Sequence, residues 1–299
     1  MGKNTEKKLK RPMTRRLIQL YSALLYNAHI KGFATGQIYT GPLKGFCVPG
    51  LNCYSCPGAA FACPLGALQN AIAASADRPA FYIVGLLLLF GLFLGRVICG
   101  FLCPFGLIQE LLHKLPTKKV KKSPLTRKLT RTKYIILLVF VFLIPILYAI
   151  RHVPLPAFCK YICPAGTLEG AVTLLLHPAN GDLRAMVGGL FWLKISVMAI
   201  ILIACVFIYR AFCRFLCPLG ALYGLFSRIA LLGIKVDPAG CTDCGACVRV
   251  CPNDIRKAGD SECIHCGQCI DVCPTKAISF RAGKIVLRGP DIPERGRQL

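Results

Sequence analysis

The sequence predicts a mainly α protein: a polytopic helical membrane domain built from an internal repeat, followed by a small C-terminal α+β domain. Three observations carry this. Hydrophobic residues make up 55% of the 299 positions and mean hydropathy is positive. Apolar stretches at 79–98, 134–150 and 187–209 approach or reach the ~20 residues needed to cross a bilayer. Nineteen cysteines recur at fixed spacings, and in a chain of this length that is a ligand pattern, not a disulfide scaffold.

Taken in order, residues 1–16 form a basic arm, expected on the cytoplasmic side. A weaker first span is expected at 17–34, where Asn27, His29 and Lys31 interrupt the apolar run; an amphipathic helix lying on the membrane surface competes with it. The stretch from Lys114 to Lys133 carries nine Lys/Arg and no acid. The positive-inside rule puts this loop in the cytoplasm, and the basic arm with it. Four spans then leave both termini cytoplasmic in a multi-pass membrane protein. The membrane domain covers 17–233, the cysteine-rich tail domain 234–282 and a polar tail 283–299. The net charge of +24 is read as this topology signal, with contact to membrane surface or acidic partners second; no nucleic-acid partner is expected.

The cysteines fall into two kinds of motif. Cys-Pro-x-Gly-x-(Leu/Ile) occurs at Cys63, Cys103, Cys163 and Cys217, and three of these have a second cysteine four residues earlier, at Cys99, Cys159 and Cys213. Proline suits the first position of a helix, and the free N–H groups there favour an anion beside it. Residues 47–115 and 159–232 share one plan, so a pseudo-twofold axis is expected to bring matching pairs together. This groups Cys99, Cys103, Cys213 and Cys217 as an inner membrane cluster, and Cys63, Cys159 and Cys163 as an outer one. For the fourth outer ligand the first repeat has Ala59 where a cysteine is expected; Cys56 is favoured, with Cys53 or Cys47 as alternatives. A separate site made of Cys47, Cys53, Cys56 and Cys63 would leave Cys159 and Cys163 without partners. Cys205, inside the last span with no motif around it, reads as an ordinary buried thiol.

The chain closes with C-x2-C-x2-C-x3-C-P written twice, the spacing of bacterial two-cluster ferredoxins. Crossed ligation in such proteins assigns Cys241, Cys244, Cys247 and Cys273 to one cluster and Cys263, Cys266, Cys269 and Cys251 to the other. Four 4Fe-4S clusters are therefore expected, two in the tail and two in the membrane domain, with 2Fe-2S, zinc or disulfides as competing readings of the membrane pairs. Gln69, Gln109 and Glu169, each one residue after the motif leucine or isoleucine, suit packing or hydrogen bonding to the ligands as readily as proton transfer.

Cys-x3-Cys-Pro pairs at span ends, followed by this tail, resemble the NapH-type membrane ferredoxins and the C-terminal membrane part of NosR-type regulators over residues 15–280. The resemblance implies a membrane electron-transfer subunit, which in NapH connects the quinone pool to a periplasmic reductase. The sequence holds no counterpart of the large extracytoplasmic flavin-binding domain of NosR, so any flavin is expected to belong to a partner. The expected function is relay of electrons between a cytoplasmic carrier and a membrane or extracytoplasmic redox protein, flavin- or haem-containing, within the lipid bilayer. A quinol- or quinone-linked dehydrogenase subunit is the alternative, with a redox assembly or sensing factor as a third reading. No catalytic substrate site is identifiable in the chain.

Overall fold

The computed structural model describes residues 10–73, 81–120 and 122–289; the arm before Lys10, the start of the expected span at 79–98 and the end of the polar tail lie outside them. The architecture is mainly helical with one small antiparallel sheet near the C-terminus.

The first helix, α1 (Lys10–Tyr26), is amphipathic in the inverted sense. Arg15, Gln19, Ser22 and Tyr26, at helical spacing, are buried, whereas Leu17, Tyr21, Leu24 and Leu25 are exposed. It starts and stops earlier than the span expected at 17–34. The reason is Asn27, whose side-chain amide donates to Ala23 O and to Asn52 Oδ1, tying the helix end to the loop that carries Cys53.

The two repeat halves follow one plan. In the first, α2 (Pro64–Ala73) follows Cys63, α3 (Phe81–Phe93) is apolar, α4 (Val97–Phe101) carries Cys99, and α5 (Pro104–His113) follows Cys103. The expected span at 79–98 is thus interrupted. Gly95 takes a left-handed backbone (φ 49°), and its N–H and that of Leu94 share Phe90 O, which ends α3 before α4 begins. A connecting helix, α6 (Pro124–Ala149), opens with a capping box between Ser123 and Thr126. Its turns widen to π geometry over Leu137–Leu143, just ahead of Pro145, which has no N–H to offer the helix. Lys133, Leu137, Val141, Pro145 and Ala149, four apart, make its buried stripe.

The second half repeats the series. Here α7 (Ala157–Tyr161) carries Cys159, and the helix opening at Pro164 continues through α8 (Gly166–Leu176). The apolar α9 (Gly189–Phe207) is followed by α10 (Ala211–Phe215) with Cys213, and α11 (Pro218–Phe226) follows Cys217. Among the described residues two helices, α6 and α9, are long and apolar enough to cross a bilayer. At 13 residues α3 is shorter than that, about 20 Å long at 1.5 Å per residue.

The tail is built on β1 (Leu232–Val236), β2 (Ile278–Ala282) and β3 (Ile285–Arg288), with β2 central. Leu232 pairs with Ala282 and Val236 with Ile278, and Gly283 at φ 58° makes the β2–β3 turn. Two short helices, α12 (Ala246–Val250) and α13 (Gln268–Asp271), lie between the strands in sequence.

Buried charge fastens the tail to the helices. Glu262 accepts from Lys133 Nζ (2.6 Å) and Arg96 Nη1 (3.1 Å), Arg96 also donates to Ser261 O (2.6 Å), and Arg214 pairs with Asp254. Burial alone would raise the Glu262 carboxyl; Arg96 and Lys133 hold it below its ordinary range. At Gly100, beside Cys99, a Cβ would stand 2.2 Å from Ile264 O, so the backbone between Cys263 and Cys266 lies directly on α4. Gly100→Ala is expected to lift the tail off this seat. Proteolysis in the 226–232 connection should speed up at least several-fold, while the iron content of the tail is retained.

Candidate iron–sulfur centres

Each Cys-Pro-x-Gly motif folds the same way. Proline is the first helical residue and the glycine N–H turns back to the cysteine sulfur; at Cys103 and Cys217 the cysteine is the N-cap with extended backbone. Gly166 N donates to Cys163 Sγ (3.4 Å) and Gly220 N to Cys217 Sγ (3.3 Å), and the same contact joins Gly66 to Cys63 and Gly106 to Cys103. Sulfur here does what a Ser or Asp oxygen does at ordinary helix starts. The glycines also leave room. Those at 66 and 166 face sulfurs across the outer site, where a Cβ would come 3.9 Å from Cys159 Sγ or 3.7 Å from Cys53 Sγ; those at 106 and 220 face the guanidiniums of Arg210 and Arg96.

The structure brings Cys99, Cys103, Cys213 and Cys217 around one enclosed void, shared with Leu51 and Tyr223. It brings Cys63, Cys159 and Cys163 together as well, and the fourth thiol beside them is Cys53. Cys56, favoured from the sequence as the fourth ligand, donates its S–H to Asn27 Oδ1 (3.5 Å) and is not among the residues lining the cleft that Cys53, Cys63, Cys159 and Cys163 share. Cys47 lines that cleft too, held by a bridge to Ala62, but it neighbours Cys63 only. In the tail, Cys241, Cys244, Cys247 and Cys273 line one cleft, and Cys251, Cys263, Cys266 and Cys269 neighbour one another. Among the described residues no three His, Cys, Asp or Glu groups close on the point a single ion would occupy.

The residue six positions after each motif cysteine reaches across to the other half. Gln69 donates to Cys159 Sγ (3.2 Å) and accepts from Phe158 N (2.9 Å). Gln109 donates to Cys213 Sγ (2.9 Å) and accepts from Cys213 N (3.4 Å). Glu169 accepts from Cys53 N (2.7 Å), and Tyr223 Oη donates to Pro49 O (2.9 Å). Of the two roles weighed for the first three, hydrogen bonding around the cysteines is the one with geometry behind it. The strap between the two sets is equally economical: Leu51 N–H serves Cys103 and Asn52 N–H serves Cys63.

Several contributors escaped sequence reasoning. Cys205 is no idle thiol, because its S–H donates to Gln109 Oε1 (3.5 Å) and so helps orient that amide. Arg96 and Arg210, both fully buried, sit against the motif glycines of the opposite half. The signal was present as Arg-x2-Cys-x3-Cys-Pro at both 96 and 210. Glu110 accepts from Arg15 (2.6 Å) and from Tyr209 (2.6 Å) and pairs with Arg210; burial would raise its carboxyl, but Arg210 and Arg15 hold it at about 2.

Comparison with known proteins bears on what these sulfurs hold. The family described as "4Fe-4S binding domain" matches residues 79–123, 134–179 and 189–237, and that described as "4Fe-4S dicluster domain" matches 233–286. Relatives include the putative electron transport protein YccM of Escherichia coli, 29% identical over 59% of this chain and 45% of its own length. The methylamine utilization ferredoxin-type protein MauN of Paracoccus denitrificans is 31% identical over 57% of this chain and 54% of its own. The regulatory protein NosR of Pseudomonas aeruginosa is 31% identical over 52% of this chain and 20% of its own. The chain belongs to the NosR/NapH-like family of 4Fe-4S proteins. It spans about half the length of the first curated relatives it matches, and no solved structure matches it.

The donor set fits the clusters of this NosR/NapH-like family. Cysteine thiols gather in clefts of the tail and of the helical part, and backbone N–H groups already point at the sulfurs of the Cys-Pro-x-Gly motifs. In the tail, burial pushes the Cys251 and Cys263 thiols up to about 12, so free side chains would stay neutral; bound iron ionises its thiol ligands outright. His265, between Cys263 and Cys266, is held neutral by burial, with Arg96 and Lys235 adding to the effect, its ring lowered to about 3. It accepts from Ile234 N (2.9 Å) and contacts Ser227 Oγ (3.1 Å), fixing the cysteine loop to β1 and to the end of α11.

Two predictions follow from this geometry. Cys53→Ser should lower bound iron by about four per chain if the site holds a 4Fe-4S cluster, whereas Cys56→Ser should leave iron content unchanged; iron and sulfide analysis decides between them. Gln69→Met and Gln109→Met each remove one N–H from a ligand sulfur. Because such bonds stabilise the more negative reduced state, each variant should lower one midpoint potential, and a different one, in an EPR-monitored redox titration.

Proposed function

We propose that this chain is an integral-membrane iron–sulfur protein that relays electrons between a cytoplasmic donor and a membrane or extracytoplasmic redox partner. Its clusters, when bound, supply one-electron transfer; the chain's own residues order them. The observation that carries the reading is the succession of cysteine sets. Cys241 and Cys244 are exposed, Cys263 and Cys269 are buried, and Ile264 and Cys266 pack into the same apolar core as Cys99, Cys103, Cys213 and Cys217. Cys63 and Cys163 belong to that core as well, with the Leu51–Asn52 strap between the two membrane sets. The outer set opens into a cleft of about 530 Å³, lined also by Tyr54, Tyr82 and Lys194, which gives an outer partner access. The relatives named as an electron transport protein and a ferredoxin-type protein support the same role.

Membrane insertion is supported by the lengths of α6 and α9 and by what they leave uncovered. Trp192 and Ile200 on α9 are 64% and 66% exposed. The outward leucines of α1 are exposed as well, and exposed apolar patches mark membrane or partner contacts. The basic stretch preceding α6 then marks the cytoplasmic face, the side on which the tail sits.

Iron and acid-labile sulfide on anaerobically purified protein test the reading. About sixteen of each per chain corresponds to four 4Fe-4S sites. About eight of each, persisting after reconstitution, would leave only the tail loaded and would end the relay through the helices.

A further inference from the structure

The cleft between the start of α6 and the tail has a volume of about 970 Å³ and an unusual charge. Arg127, Lys128 and Arg131 line it from α6, and Arg228, Arg256 and Lys257 from the tail side; all six are exposed. Its three carboxylates are already engaged. Asp254 is paired with Arg214, Glu262 with Arg96 and Lys133, and Asp260 accepts from the backbone N–H groups of Arg256 (2.6 Å) and Glu262 (2.9 Å). Among the described residues none of the six cations has a carboxylate partner. The positive face does not stop there. Arg228, Arg256 and Lys257 also line the neighbouring cleft of about 470 Å³, where Cys241, Cys244, Cys247 and Cys273 lie. Lys235 joins them on that side and Asp243 is the one acid.

An unpaired basic surface next to a membrane has an everyday explanation in anionic headgroups. That explanation does not account for its continuation around the exposed cysteines of the tail, which are the outermost members of the succession described above. We propose that this face docks an acidic, one-electron carrier protein of the cytoplasm, and that charge complementarity aligns the carrier with the Cys241/Cys244 end of the tail. The proposal rests on the electron-relay reading and names the partner of its entry site. In each encounter the carrier is oxidised by one electron and the tail is reduced by one; no bond forms or breaks. Opposite charge acts mainly on the association rate, and salt screens it.

The test uses the full chain, loaded with clusters, in nanodiscs of uncharged phosphatidylcholine. Its reduction is followed by stopped-flow absorbance with two electron donors, a reduced acidic two-iron ferredoxin and reduced methyl viologen, a small cation. The ferredoxin rate is expected to fall about tenfold or more between low salt and about 0.5 M salt, where screening reaches only a few ångströms. Arg256→Glu with Lys257→Glu, and Arg127→Glu with Lys128→Glu, should each lower it by a similar factor at low salt. Arg127→Lys and Arg256→Lys, which keep the charge, should not, and none of these variants should slow methyl viologen. A ferredoxin rate indifferent to salt and to charge reversal overturns the docking surface. So does a result in which the variants change only binding to nanodiscs containing anionic phospholipid, which assigns the face to lipid. If methyl viologen itself reduces nothing in protein of full iron content, the relay reading fails first, and the docking surface with it.

Discussion

A thiolate among apolar helices is tolerable only when the protein replaces the hydrogen bonds that water would give it. Much of this fold follows from meeting that requirement. Placing each motif cysteine at an N-cap supplies a glycine N–H and the positive end of a helix in one step. The proline that follows costs nothing there, because its missing N–H would have had no helical partner. Once the cysteine is the cap, the helix direction, and with it the way each half of the repeat faces the other, is largely set.

The side chains that hydrogen-bond around the cysteines are exchanged between halves. Gln69 and Gln109, both on the first half, serve cysteines of the second; Glu169 on the second serves the Cys53 loop of the first. Neither half satisfies all of these polar groups alone. Such reciprocal need favours one arrangement over the many ways in which apolar helices can otherwise pack.

How legible this was depended on distance along the chain. The four cysteine motifs and the doubled tail run are legible because each is local spacing, and grouping the motif cysteines into sets asks only one symmetry step more. The sequence leaves Cys56, Cys53 and Cys47 open as the fourth outer ligand; in space Asn27 engages Cys56, and Glu169, 116 residues away, accepts from the backbone N–H of Cys53. The early stop of α1 has the same origin in Asn27. The seat of the tail was hidden for a similar reason. Glu262 and its partners Arg96 and Lys133 are ordinary charged residues in sequence, and only the fold makes them a buried cluster.

That buried cluster also sets the two cysteine sets of the helical part apart. Arg96 and Arg210 lie beside the inner set, each balanced by a carboxylate, Glu262 or Glu110, on its far side. The outer set has Glu169 against it, and among the described residues no cation pairs with that carboxylate. Reduction adds negative charge, so nearby guanidinium favours the reduced form and nearby carboxylate opposes it. One repeated ligand motif therefore meets different charged neighbours in its two settings, buried guanidiniums at the inner set and Glu169 with Lys194 at the outer. The cation that tunes the inner set at Arg96 is the same one that holds the tail in place, so the seat of the tail and the properties of the site beneath it cannot vary independently.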